Sequence, residues 1–187
     1  MIIENLENIL SKDFNNNILN ELKNINSWRI SPDELVYEDI NLSDNYSDSG
    51  MILHSYNSEY NIPKDDSDGL KYSFLNASAN HIFNSVLDNS EFAFSNIKLH
   101  RYLWNYYNRA SDGVTHVDSR LDNTYSIIYY LHNSDGGTFI GDTFYKSISN
   151  NAIVFKSNIK HRGCGPKREK NRFLLNILFT ADGYERK

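Results

Sequence analysis

The sequence predicts an α+β domain in which helices come first and a sheet that curls into a sandwich or barrel follows. Three observations carry this expectation. Apolar residues recur at helical spacing before residue 90, short runs rich in Ile, Val, Tyr and Phe follow it, and clusters of Gly, Asn, Asp and Ser separate those runs. With 187 residues, 40% apolar and 13% aromatic, the chain can fill one core. Residues 1–187 are therefore expected to form one domain, with 1–90 mainly helical support and loops and 91–180 the sheet core.

Ile3, Leu6, Leu10, Phe14, Ile18, Leu22 and Ile25 recur every three or four residues, which predicts one stripe along a helix or a pair of helices. The run Asn15-Asn16-Asn17 is where the stripe could break. From Ser31 to Gly69 the chain is rich in Asp, Ser and Asn, with Pro32 and Pro63, and reads as loops around a short strand at residues 51–53. Helical spacing returns over 74–88 through Leu75, Ala79, Ile82, Phe83 and Val86, the pattern of a helix packed on a sheet. Strands are predicted over 92–104, 125–131, 137–140, 152–155 and 172–179. No internal repeat is evident, and the asparagines are spread along the chain.

A formal charge of −5 gives no general attraction to phosphate backbones or anionic lipid, and no block of Lys or Arg compensates locally, so no nucleic-acid partner is expected. Cys164 is the only cysteine. It allows no intramolecular disulfide and no thiolate cluster, which fits a reducing compartment. It is expected to be a small, partly exposed thiol without a catalytic task. There is no basic segment followed by an apolar stretch at the start, and no run of roughly 18 apolar residues, so the expectation is a soluble, cytoplasmic protein without a membrane partner.

His116-Val117-Asp118 sets an imidazole and a carboxylate two residues apart, on the same side of an extended chain. By itself such a pair is a common coincidence. Here it is preceded by a turn at Gly113 and followed, in order, by the 125–131 strand, the Gly136-Gly137 turn, the 152–155 strand, His161 and, eleven residues on, Arg172 at the start of the last long strand. Two imidazoles and one carboxylate suit one face of a six-coordinate iron(II), leaving the opposite positions open. His54, His81, His100 and His132 are read as ordinary polar side chains.

With these motifs the sequence resembles the prolyl-4-hydroxylase-like branch of the 2-oxoglutarate/Fe(II) oxygenases. The resemblance covers residues 99–179 and rests on His116-Val117-Asp118, Ile127-Ile128-Tyr129-Tyr130-Leu131, Gly136-Gly137-Thr138-Phe139, Ala152-Ile153-Val154-Phe155, His161 and Arg172-Phe173-Leu174-Leu175. It implies a double-stranded β-helix (jelly-roll) core with N-terminal and supporting helices. It implies Fe(II) on His116, Asp118 and His161, with 2-oxoglutarate and dioxygen as cosubstrates. Arg172 would hold the distal keto-acid carboxylate, a task suited to its planar fork of donors. Tyr130 would point toward the same carboxylate, with Ser126 and Ile128 on its face of the strand. Tyr102 falls near another cosubstrate position, with Asn105 and Tyr106 as alternatives. The chain departs from the family at His132, where Asn is common, and in having Thr138 directly after the two glycines, which leaves the substrate class open.

The implied activity is oxidation, typically hydroxylation, of a peptide side chain or small molecule with release of succinate and CO2. It needs no catalytic group beyond the metal ligands. Aromatic residues near Tyr46, over 56–60 and over 104–108 are of a composition that can grip such a substrate. The alternatives are a jelly-roll binding module for a sugar or protein partner, and a cupin-like metal enzyme. Arg172 argues against both, since neither needs a second site for a keto acid.

Overall fold

The computed structural model describes residues 3–25, 29–30, 51–57, 73–109 and 111–187, of which 29–30 and 51–57 enter only through their strand pairing. Among them the elements are, in order, β1 (Ile3–Leu6), α1 (Lys12–Lys23), β2 (Arg29–Ile30), β3 (Met51–Asn57), α2 (Ser73–Asn89), β4 (Phe92–Ser95), β5 (Lys98–Asn108), β6 (Thr124–Tyr130), β7 (Gly137–Ile140), β8 (Thr143–Lys146), β9 (Asn151–Lys156), β10 (His161–Cys164), β11 (Asn171–Thr180) and β12 (Gly183–Arg186). Residues 31–50 and 58–69, expected to be loops, lie outside the described residues.

The apolar stripe over 3–25 divides into a strand and a helix. Ile3 and Leu6 are spaced as a helix would space them, but the outer edge of β9 carries backbone groups that need partners. β1 supplies them, pairing Ile3 with Phe155 and Leu6 with Ala152. Asn8, at φ 56°, then turns the chain, and Ser11 caps α1 by accepting from the Phe14 amide at 3.3 Å. The three asparagines do not break α1. Asn15 is buried and donates to the Leu131 carbonyl at 2.8 Å, so its polarity is satisfied inside the core.

α2 matches its predicted span. Its Leu75, Ala79, Ile82, Phe83 and Val86 are buried with Ile18 and Leu22 of α1 against Tyr102, Trp104, Tyr129, Phe173 and Phe179 of the sheet. Each large apolar side chain buried there contributes roughly 1.5–3 kcal/mol. Among the described residues no helix is long and apolar enough to cross a membrane.

The sheet beneath the helices has seven antiparallel strands in the order β1-β9-β6-β11-β5-β3-β2. A second sheet, β10-β7-β8, is widened by bridges from Asp112 to Cys164 and from His116 to His161. Ile140 of the small sheet packs with Ile128, Tyr130, Ile153, Phe155 and Leu174 of the large one. This second cluster is the interior of the jelly roll, on the opposite face of the large sheet from the helices. The predicted run 92–104 is two strands, broken at Asn96 with φ 49°, and the second extends to Asn108. β8, β10 and β12 were not predicted: each is four residues long and is defined by pairing with a neighbour.

Candidate metal centre

β5 decides which aromatic residues reach the interior. A register shift opposite His100 sets the alternation beyond it. Tyr102, Trp104 and Tyr106 pack on the helix side, and Arg101 and Tyr107 face inward. Tyr102 was expected beside a cosubstrate. Instead it is buried under α2, its hydroxyl donating to Asn80 Oδ1 at 3.0 Å and its ring edge-on to Phe83. Of the alternatives, Tyr106 shares that outer face and packs on Phe173, while alternation turns Asn105 inward. Trp104 is fully buried and takes no part in a surface grip. Tyr46 and the side chains of 56–60 lie outside the described residues.

His116, Asp118 and His161 converge. One ligand atom from each lies within 4.8 Å of the others. The backbone explains how residues 45 apart in sequence meet: the amides and carbonyls of His116 and His161 exchange hydrogen bonds of 2.9 and 2.8 Å, and the Asp118 amide donates to the Ser157 carbonyl at 3.0 Å. Both imidazoles are oriented alike. His116 Nδ1 donates to the Val114 carbonyl and His161 Nδ1 to the Ile159 carbonyl, each at 2.9 Å. A carbonyl can only accept, so the proton of each neutral ring sits on Nδ1 and each Nε2 presents a lone pair. His116 Nε2 lies 3.6 Å from Asp118 Oδ1, and His161 Nε2 lies 3.5 Å from Oδ2.

The donor set fits a divalent metal ion. His161 Nε2 is buried and has no hydrogen-bond partner, which a ligand role would resolve. Burial opposes charge on His116, but the hydrogen bond and charge of Asp118 outweigh it and raise the imidazole above its ordinary value. Burial likewise opposes charge on Asp118, yet Arg101, His161 and His116 together hold the carboxyl well below the usual range. Asp118 Oδ1 accepts from Arg101 Nη2 at 2.6 Å, and Oδ2 accepts from Ser126 Oγ at 2.6 Å and Asn176 Nδ2 at 3.3 Å.

Asn176 links the centre to Arg172. The two lie four residues apart on β11, so with Leu174 they share its inward face. Arg172 is fully buried. Its Nη1 donates to the Cys164 carbonyl at 2.9 Å and its Nη2 to Thr138 Oγ1 at 2.8 Å, while Nε has no partner. The guanidinium carbon lies 5.0 Å from the Tyr107 ring centre and 5.5 Å from that of Tyr130. Among the described residues it forms no ion pair. A buried cation without a countercharge is costly, so this pocket favours an anion.

Tyr130 and Ile128 lie in the interior cluster, and Ser126 bonds Asp118, so all three share the inward face of β6. Burial pushes the Tyr130 phenol up, against the pull of the Arg172 charge and of hydrogen bonds with Thr138 and Arg172. Four residues of this interior were given no place beside the metal or the keto acid from sequence: Arg101, Tyr107, Thr138 and Asn176. Parity with Arg172 along β11 marks Asn176, and parity with one another along β5 marks Arg101 and Tyr107. Thr138 follows the two glycines directly.

Cys164 is buried rather than partly exposed, and burial raises its thiol. His81 packs edge-on to Phe14, His100 bonds Thr180, and His132 Nε2 donates to the Asn171 carbonyl. His54 has no described side chain.

No protein-family model matches this sequence, and no curated protein does. Solved structures match its fold. A prolyl-4-hydroxylase from Pseudomonas putida is similar over 97% of this chain and 93% of its own, with 13% identity and a TM-score of 0.57. A prolyl hydroxylase from Trichoplax adhaerens, solved with a hypoxia inducible factor peptide, is similar over 95% and 83%, with 11% identity and a TM-score of 0.60. The non-heme alpha ketoglutarate dependent epimerase SnoN from nogalamycin biosynthesis is similar over 99% and 80%, with 10% identity and a TM-score of 0.59. The chain has the jelly-roll fold of the 2-oxoglutarate/Fe(II) oxygenases, prolyl hydroxylases included.

Proposed function

We propose that this chain is an Fe(II)- and 2-oxoglutarate-dependent dioxygenase that hydroxylates a peptide side chain or a small molecule, releasing succinate and CO2. The observation that carries the reading is the placement of a buried guanidinium, Arg172, without an acidic partner among the described residues, on the same inward strand face as the side chain that touches Asp118. A metal site alone has no use for that cation. A dicarboxylic keto acid, one end at the metal and the other at Arg172, uses both.

His116, Asp118 and His161 would hold the iron, their lone pairs fixed by the backbone carbonyls behind the two rings and by the donors around the carboxylate. Iron(II), with the keto acid and dioxygen, supplies the oxidising power to replace a C–H bond by C–OH, one oxygen atom going to the product and one to succinate. Arg172 binds the distal carboxylate through donors it does not spend on Cys164 and Thr138, and Tyr107 and Tyr130 flank it. Ile128, Ile153, Phe155 and Leu174 exclude water between the two ends. The substrate reaches the centre from the His116 side: that side chain is 32% exposed and His161 is 3% exposed. The solved Trichoplax protein carries a peptide, and SnoN belongs to the biosynthesis of a small molecule. Both substrate classes therefore belong in the test.

Incubation with iron(II), 2-oxoglutarate and air should release succinate, faster with the right member of a peptide and metabolite panel, and His161→Ala should release none. No succinate from the wild-type protein at saturating iron and keto acid, with or without panel members, rejects the reading.

A further inference from the structure

We infer that Arg101 is a positioning residue that keeps Asp118 a one-oxygen ligand of the metal. The inference rests on the iron reading above and deepens it. Arg101 stands on the inward face of β5, its side chain 13% exposed, and its Nη2 reaches Oδ1 of a carboxylate that is 2% exposed. The contact is 2.6 Å, the length of a charge-assisted bond. The two oxygens of Asp118 are thereby made unequal. Oδ1 meets a full positive charge, whereas Oδ2 meets the neutral Ser126 hydroxyl and the Asn176 amide. A divalent cation is repelled from the first and accepted by the second; distance to the imidazoles does not separate them, Oδ1 lying 3.6 Å from His116 Nε2 and Oδ2 3.5 Å from His161 Nε2, so the charge of Arg101 makes the choice.

A cation bonded to a ligand carboxylate works against metal affinity, so its presence calls for a compensating use. Coordination arithmetic supplies one. On a six-coordinate ion three ligand atoms would leave three positions, enough for a chelating keto acid and dioxygen together. A second oxygen from Asp118 would fill the third of them. Holding Oδ1 on Arg101 keeps it free, and the neighbouring Ser126, itself 2.9 Å from Ser157 Oγ, fixes the plane of the carboxylate from the other end.

Nitric oxide, which occupies the dioxygen position and gives a high-spin iron signal in electron paramagnetic resonance, is the probe. Iron affinity and the visible absorption of the chelated keto acid are measured alongside, without oxygen. Arg101→Gln is expected to bind iron at least as tightly as the wild type and to keep the absorption band. Its nitric oxide signal per bound iron should fall about tenfold, the effect of a competing ligand favoured by roughly 1.4 kcal/mol. Arg101→Lys retains the positive charge opposite Oδ1, which the neutral amide of Arg101→Gln does not, and should keep the signal. A full signal in Arg101→Gln overturns the inference, and so does loss of iron binding itself, which would make the pair a support of the ligand and no more. If Arg101→Gln does not fold, Arg101→Met takes its place: a tenfold loss of signal at unchanged iron supports the inference, and a full signal overturns it. Absence of the absorption band in the wild type would instead reject the oxygenase reading, which separates the two failures.

Discussion

Arg172 has no exposed surface and no acidic partner among the described residues, so its charge is the strongest local reason for an anion to enter the interior. Arg172→Lys keeps the charge but loses the planar fork. Losing one or two hydrogen bonds between charged groups, each worth about 1.5–3 kcal/mol, should weaken 2-oxoglutarate by roughly ten- to a hundredfold or more. Iron affinity should stay within about threefold, because Arg172 touches no ligand of the metal. Calorimetry of both ligands checks this, and equal loss of both would mean that the guanidinium supports the fold instead. At this scale the sequence was legible where chemistry constrains residue type: His116, Asp118, His161 and Arg172 face one interior. It was less legible for Tyr102, because a tyrosine on a strand suits either face. The register shift near His100 decides the face, and it depends on how β5 and β11 pair.

Among the elements, the joint between α1 and the large sheet carries a buried polar network. The Tyr129 hydroxyl lies 2.7 Å from Asn15 Oδ1 and 2.8 Å from Asn150 Oδ1, its one proton shared between them. Asn150, at φ 66°, accepts from the Leu10 amide at 2.8 Å and donates to its carbonyl at 2.7 Å. Asn150→Ala leaves both groups of Leu10 unsatisfied and puts alanine in a left-handed conformation, so it should cost about 2–4 kcal/mol in urea unfolding. Keto-acid affinity should be unchanged in the folded fraction. A loss under 0.5 kcal/mol, on the order of an ordinary surface substitution, would contradict this account of the joint. Periodicity revealed α2 and the long strands because their burial repeats at a fixed interval. It could not reveal β1, whose spacing is equally helical, or β10, where His161, Arg162, Gly163 and Cys164 have little strand character of their own. β10 is a strand because β7 and the 112–116 segment pair with it, and that pairing brings His161 to His116.

Across the whole molecule the two faces of the large sheet divide the work. The helix side holds the main apolar core, and the inner side holds a smaller cluster in which Phe155 meets the His161 ring and Tyr130 meets the Arg172 guanidinium. The sequence gives this division only coarsely, since alternation assigns residues to faces without saying which face is which. The ordered motifs from His116 to Arg172 supply the missing assignment. The account turns on that inner face holding a metal and a keto acid together, and an anaerobic visible titration tests it most directly. Adding 2-oxoglutarate to the iron(II)-loaded protein should produce the weak charge-transfer band of a chelated keto acid, saturating at one equivalent of iron and vanishing in His116→Ala and Asp118→Ala. An iron-loaded wild-type protein that shows no band at saturating 2-oxoglutarate would contradict it.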